Sequence, residues 1–134
     1  MPRVRAEGGR LLVDGRPAFV LGANYWPRTS NIQMWSRWDP EGIRRDLDAA
    51  REMGLRALRA FLLARDFALP DGSVRPDALE RARWFLDEAR ARGLLVFLTL
   101  IVGHMSGRNW ELPWDPEGEV YTPRALEGAR RFVR

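Results

Sequence analysis

Short apolar runs alternate with helix-patterned stretches three times along this chain, and that alternation constrains its fold more than any other feature. Ala18-Phe19-Val20-Leu21-Gly22-Ala23 reads as a strand buried on both faces, and it runs out into Asn24-Tyr25-Trp26-Pro27, where proline ends it. After a polar, tryptophan-containing loop, Asp39-Pro40-Glu41 supplies an N-cap, a proline at the first helical position and an acid in the first turn. Ile43, Leu47, Ala50 and Met53 then recur at helical spacing, Gly54 closes the helix, and Leu55 to Leu63 forms a second strand carrying Arg59. The unit repeats. Pro70-Asp71-Gly72 marks a turn; a helix from about Asp77 to Arg92 turns Leu79, Ala82, Leu86 and Ala89 inward; Gly93 ends it; and a strand runs from Leu94 to Val102. A last helix begins at Thr122-Pro123 and uses Leu126, Ala129 and Phe132.

Strand starts lie about 38 residues apart, the spacing expected of parallel strands joined by helices. Residues 1–17 precede this pattern as a hairpin, with strands Arg3 to Ala6 and Arg10 to Val13 around Gly8-Gly9 and a second turn at Asp14-Gly15-Arg16-Pro17. Residues 18–134 then hold three β/α units. Eight such units in about 250 residues close a barrel, so the expected fold is α/β, a partial (β/α)8 barrel of about three units behind an N-terminal hairpin. A small open three-stranded sheet fits the length as well. It would lack the usual nucleotide site, because Gly22-Ala23-Asn24 is not a glycine-rich phosphate loop.

Composition removes several chemistries. The 134 residues include no cysteine and one histidine, His104, which excludes thiolate nucleophiles and disfavours a metal centre, so neither metal nor cofactor is expected. All 22 basic residues are arginine, so no lysine is present for Schiff-base or P-loop roles. The net charge of +4 comes from arginines interleaved with acids, as in Arg44-Arg45-Asp46-Leu47-Asp48, a mixed face that argues against nucleic acid. No apolar run reaches the length of a membrane span and the opening residues do not form a secretory signal, so a cytoplasmic protein is expected.

In parallel α/β folds the loops that follow the strands gather at one end, where ligands bind. Five of the six tryptophans, Trp26, Trp35, Trp38, Trp110 and Trp114, fall in such loops; Trp84 lies within a helix and is expected to pack. Indole faces suit the apolar faces of sugar rings, while Asn24, Arg59, His104 and Asn109 can hydrogen-bond hydroxyls. Packing is the competing role for Trp35 and Trp38. Arg59, a charge in an apolar strand, must meet a carboxylate or face the cleft.

Gly22-Ala23-Asn24-Tyr25-Trp26-Pro27, Met34-Trp35-Ser36-Arg37-Trp38-Asp39-Pro40, Gly54 to Arg59 and Thr99 to Gly107 together resemble the opening of a cellulase-type, family 5-like glycoside hydrolase, one of the retaining (β/α)8-barrel glycosidases. The resemblance implies that Arg59 supports the nucleophile carboxylate and that His104 lines the sugar subsite beside the cleavage point. It also implicates Asn24, Tyr25 and Trp26, while Trp35, Asn109 and Trp110 are expected as further substrate contacts from their places in the loops that follow the strands. Arg65-Asp66 departs from the tryptophan or acid often found after the second strand. The family's acid/base follows strand four in an Asn-Glu pair and its nucleophile follows strand seven, whereas this chain contains no Asn-Glu dipeptide.

The expectation is thus a glycosidase portion acting on β-linked glucan or mannan by a retaining two-glutamate route. No catalytic residue is assigned to this chain, which is expected to be inactive alone and to associate with itself or with a complementary chain carrying strands four to eight. Two alternatives stay open. One is a noncatalytic carbohydrate-binding or interaction module derived from such a barrel; the other is a small independent enzyme using Asp66 or Glu111, with Asp115 a third acid near the cleft.

Overall fold

The computed structural model describes residues 3–115 and 122–134. It opens with an antiparallel sheet of β1 (Val4–Glu7), β2 (Arg10–Val13) and β3 (Arg16–Pro17). Two-residue connections fix its register. Gly8-Gly9 (φ 55° and 72°) and Asp14-Gly15 (φ 51° and 77°) both occupy the left-handed region, the tight-hairpin geometry that matches strand twist. The second turn therefore returns Arg16–Pro17 as a third strand against β2 instead of ending the hairpin.

A separate parallel sheet follows, ordered β4 (Gly22–Asn24), β5 (Ala57–Phe61), β6 (Leu95–Thr99). Its register places Asn24 beside Arg59 and Arg59 beside Phe97, with Phe61 beside Thr99. The crossovers run through α1 (Pro40–Glu52) and α3 (Pro76–Ala91), and α4 (Pro123–Phe132) comes last. Asp39 caps α1 by accepting the Gly42 N–H at 2.9 Å, and the Thr122 hydroxyl caps α4 by accepting the Ala125 N–H at 3.0 Å. The three β/α units and the partial-barrel architecture are as the periodicity implies.

Alternation along β5 divides the molecule. Leu58, Ala60 and Leu62 join Ile43, Leu47 and Ala50 of α1 and Ala82, Phe85 and Ala89 of α3 in the main core, while Arg59 between them is exposed on the opposite face. A single helical turn, α2 (Ala64–Phe67), follows β5 and buries Phe67; four residues have no periodicity for sequence reading to detect.

Three expectations are corrected. Only Gly22–Asn24 of the first apolar run forms a strand and all three residues are exposed, with Phe19 91% exposed, because β4 pairs with β5 alone and lies at the sheet edge. In α3 the inward stripe is Ala78, Ala82, Phe85 and Ala89: the bulk of Phe85 selects the buried face and leaves Leu79 exposed and Leu86 half-buried. In α4 the buried residues are Ala125, Gly128 and Phe132, with Leu126 exposed. Gly128 is required by contact, since a Cβ there would stand 2.1 Å from Trp114 Cδ1.

Candidate functional site

The site lies at the ends of β4, β5 and β6, where a pocket of about 350 Å³ is lined by Asn24, Trp26, Arg59, Phe61, Thr99 and His104, among others. Parallel pairing makes this cluster: three strands pointing the same way deliver their last residues to one edge. Phe61 is its floor. The Trp26 indole stacks on the Phe61 ring at 4.6 Å and 13°, and the Arg59 guanidinium sits 4.7 Å from the same ring. Arg59 Nε also donates to Thr99 Oγ1 at 2.9 Å, so the head group is held across two strands. A second hollow of about 510 Å³ shares Asn24 and Arg59 and extends along the open face past Gly22, Ala57 and Phe97, the last 56% exposed.

His104 enters from a short antiparallel pair, β7 (His104–Met105) and β8 (Arg108–Asn109). Its Nδ1 lies 2.7 Å from Asn109 Oδ1. Behind this hairpin Trp110 is only 4% exposed; its indole N–H donates to the Met105 carbonyl at 3.0 Å, and the guanidinium groups of Arg65 and Arg108 stand 4.6 and 4.3 Å from its ring. Trp110 is a brace for the loop and does not line the pocket.

The structure brings Asn24, Trp26, Arg59 and His104 together and places Tyr25 and Trp35 elsewhere. Tyr25 is buried against Phe85, and its hydroxyl donates to Asp46 Oδ2 at 3.3 Å; burial, followed by the Asp46 charge, pushes the phenol far above its ordinary range. Trp35, 2% exposed, lies in the helix-side core, edge-on to Phe67 and Phe85 and stacked on Trp38. The indoles therefore do not form one rim. Trp38 and Trp84 pack edge to face on that same side, and Trp114 packs against Phe132.

Phe61 and Thr99 were not singled out by the sequence. Their signal is register alone: they are the last residues of β5 and β6 and face each other across the sheet. Among the described residues no group of His, Asp and Glu is arranged to hold a metal, and no helix is long and apolar enough to cross a membrane.

Among the described residues no carboxylate lines the pocket. Asp115 is buried and accepts the Thr122 hydroxyl at 2.7 Å, a structural link to the cap of α4, and Glu111 is exposed. Asp66 is partly buried, with Oδ2 sealed from solvent and lacking a hydrogen-bond partner, and Arg65 Nε is 3.7 Å from its other oxygen. Burial raises its pKa against the opposing charges of Arg65, Arg75 and Arg81. A carboxyl whose folded pKa exceeds its unfolded value stabilises the fold below the unfolded value and loses that contribution as pH rises through the folded one. Wild type should therefore gain stability relative to Asp66→Asn as pH falls from above the raised folded value to the ordinary carboxylate value. Urea midpoints of both proteins across that range check this, and a pH-independent difference would contradict it.

Comparison with solved structures shows what the chain is similar to. An exo-β-1,4-mannosidase from Opitutaceae bacterium strain TAV5 superposes with TM-score 0.79 and 32% identity, over 85% of this chain and 21% of that one. The chain is similar to the N-terminal part of a family 5 glycoside hydrolase. A GH5_18 protein from Streptomyces cattleya in complex with Manβ1-4GlcNAc matches with TM-score 0.76 and 28% identity, over 84% of this chain and 28% of that one. A third, the GH5_18 protein from Bifidobacterium longum subsp. longum, shares the fold at TM-score 0.77 and 22% identity, over 87% of this chain and 28% of that one. The chain thus spans about a fifth to just over a quarter of these glycoside hydrolases. No protein-family model and no curated protein matches it. The face carrying Asn24, Arg59 and Phe97 is the one opposite the helices, and the pocket opens at the strand ends.

Proposed function

We propose that this chain forms one wall of the sugar cleft of a retaining β-glycosidase, with β-mannosides as first-choice substrates and β-glucosides second. The observation that carries the reading is the pocket itself: an indole, a guanidinium, an asparagine and an imidazole converge at the strand ends, with no carboxylate from the described residues among them. Trp26 offers a flat apolar face for a sugar ring, and Asn24 and His104 can bond its hydroxyls. Arg59, presented across Thr99 and Phe61, is suited to hold a carboxylate.

Retaining hydrolysis needs two carboxyl groups about 5–5.5 Å apart, one attacking carbon and one transferring the proton. In this reading both come from the barrel portion bearing strands four to eight, so the chain alone is inactive. That portion, covalently continuous or a separate chain, covers the edge of β6 and the open face around Phe97. Support for mannose comes from the mannosidase likeness at 32% identity and from the disaccharide bound by the protein at 28%.

The test joins this chain to strands four to eight of the similar mannosidase and follows an aryl β-mannoside by NMR. β-Mannose as the first-formed anomer is the expected result; α-mannose would contradict the retaining mechanism. Faster turnover of the aryl β-glucoside than of the mannoside would overturn the substrate order.

A further inference from the structure

We infer that Asn109 fixes the tautomer of His104, so that the imidazole meets a ligand in the pocket through Nε2 as a hydrogen-bond acceptor. The placement follows from the chain. Ser106 and Gly107 occupy the left-handed region (φ 57° and 74°), a two-residue turn that makes Met105 and Arg108 the first cross-strand pair and His104 and Asn109 the second. Directly opposed residues in such a pair project to the same side, and here the side chains meet, Nδ1 to Oδ1, at 2.7 Å.

The chemistry of that contact admits one arrangement. An amide oxygen only accepts, and a neutral imidazole carries a single N–H, so the proton must sit on Nδ1 and Nε2 must present a lone pair. The hairpin holding the two residues is itself anchored: the Trp110 backbone N–H donates to the Gly103 carbonyl at 2.8 Å, and its indole N–H to that of Met105 at 3.0 Å. Asn109 therefore acts as a positioning residue through His104. Its amide oxygen is engaged before any ligand arrives.

A consequence for specificity follows. The ligand group facing Nε2 must be a donor: a hydroxyl satisfies it, whereas an ether oxygen or fluorine in the same place leaves two acceptors opposed. The donor being a sugar hydroxyl rests on the glycosidase reading; the tautomer does not. The two can fail separately, because the tautomer is read without sugar or turnover.

His104 is the single histidine of the chain, so a nitrogen-15 spectrum of its ring is free of overlap. In the full chain, at a pH where the ring is neutral, Nδ1 should show the protonated and Nε2 the unprotonated type of resonance. Asn109→Ala should shift the tautomer ratio toward Nε2–H by roughly five- to tenfold. Asn109→Asp, which keeps an acceptor in place, should retain Nδ1–H. Predominant Nε2–H in the wild type would overturn the inference, as would an unchanged ratio in a folded Asn109→Ala. Should the alanine variant not fold, the wild-type and aspartate spectra decide the matter alone.

Discussion

Replacing Trp35 with alanine is expected to destabilise the chain by about 3–5 kcal/mol. The indole is 2% exposed and touches three other rings, Trp38, Phe67 and Phe85, so its removal opens a cavity where the first long loop, α2 and α3 meet. Two polar links go with it or depend on it. The indole N–H donates to the Phe61 carbonyl at 2.8 Å, bonding the last residue of β5, and the Trp35 carbonyl accepts from the Arg81 guanidinium. Leaving the Phe61 carbonyl unpaired adds about 1–3 kcal/mol of desolvation cost unless water enters the cavity. Against a typical total of about 5–15 kcal/mol for a domain, this is a large fraction. Urea unfolding reads it as a lower midpoint at unchanged slope. Trp35→Phe, which keeps a ring without the N–H, should lose less. An alanine variant within about 1 kcal/mol of wild type would show that the indole does not carry this core.

The second large effect is catalytic. In the barrel completed as above, Arg59→Leu is expected to lower kcat/KM by roughly a hundredfold or more, the scale of removing one fixed charge-stabilising group, while the urea midpoint moves little. The separation follows from position. Arg59 is exposed on the open face, so its loss leaves no cavity, yet Thr99 and Phe61 hold its guanidinium at the pocket. Arg59→Lys should recover only part of the activity, because an ammonium cannot reproduce the Nε–H bond to Thr99 together with a planar fork toward a carboxylate. Unchanged kcat/KM in Arg59→Leu would remove the residue from the site. A collapse in stability instead would make its role structural.

What could be read from the letters was what depends on local rules. The caps at Asp39 and Thr122, the glycines that close α1 and α3 and the two-residue turn at Gly8-Gly9 depend on a few adjacent residues, and the structure contains each of them. Arg59 could be found for a similar reason, as a charge late in an apolar strand. The indoles could not be sorted this way. A tryptophan in a loop has the same local signature whether it lines an open pocket, as Trp26 does, or fills the core like Trp35; only the packing of Phe67 and Phe85 against Trp35 tells them apart. Burial of the first apolar run was also beyond local reading, since it depends on which strands flank β4. Nor could residue types alone give the inward face of α3, where Phe85 outweighs two leucines. The His104–Asn109 pair needed the hairpin register, although Ser106-Gly107 is a turn signal that could have pointed to it.

The most direct measurement compares hydrolysis of an aryl β-mannoside by the purified chain alone and by the chain joined to strands four to eight of the similar mannosidase. The expected result is no turnover from the chain alone and turnover from the joined barrel that falls with Arg59→Leu. Turnover by the purified chain alone, lost on Asp66→Asn or Glu111→Gln, would contradict it: the bond-breaking carboxylates would then lie within these 134 residues.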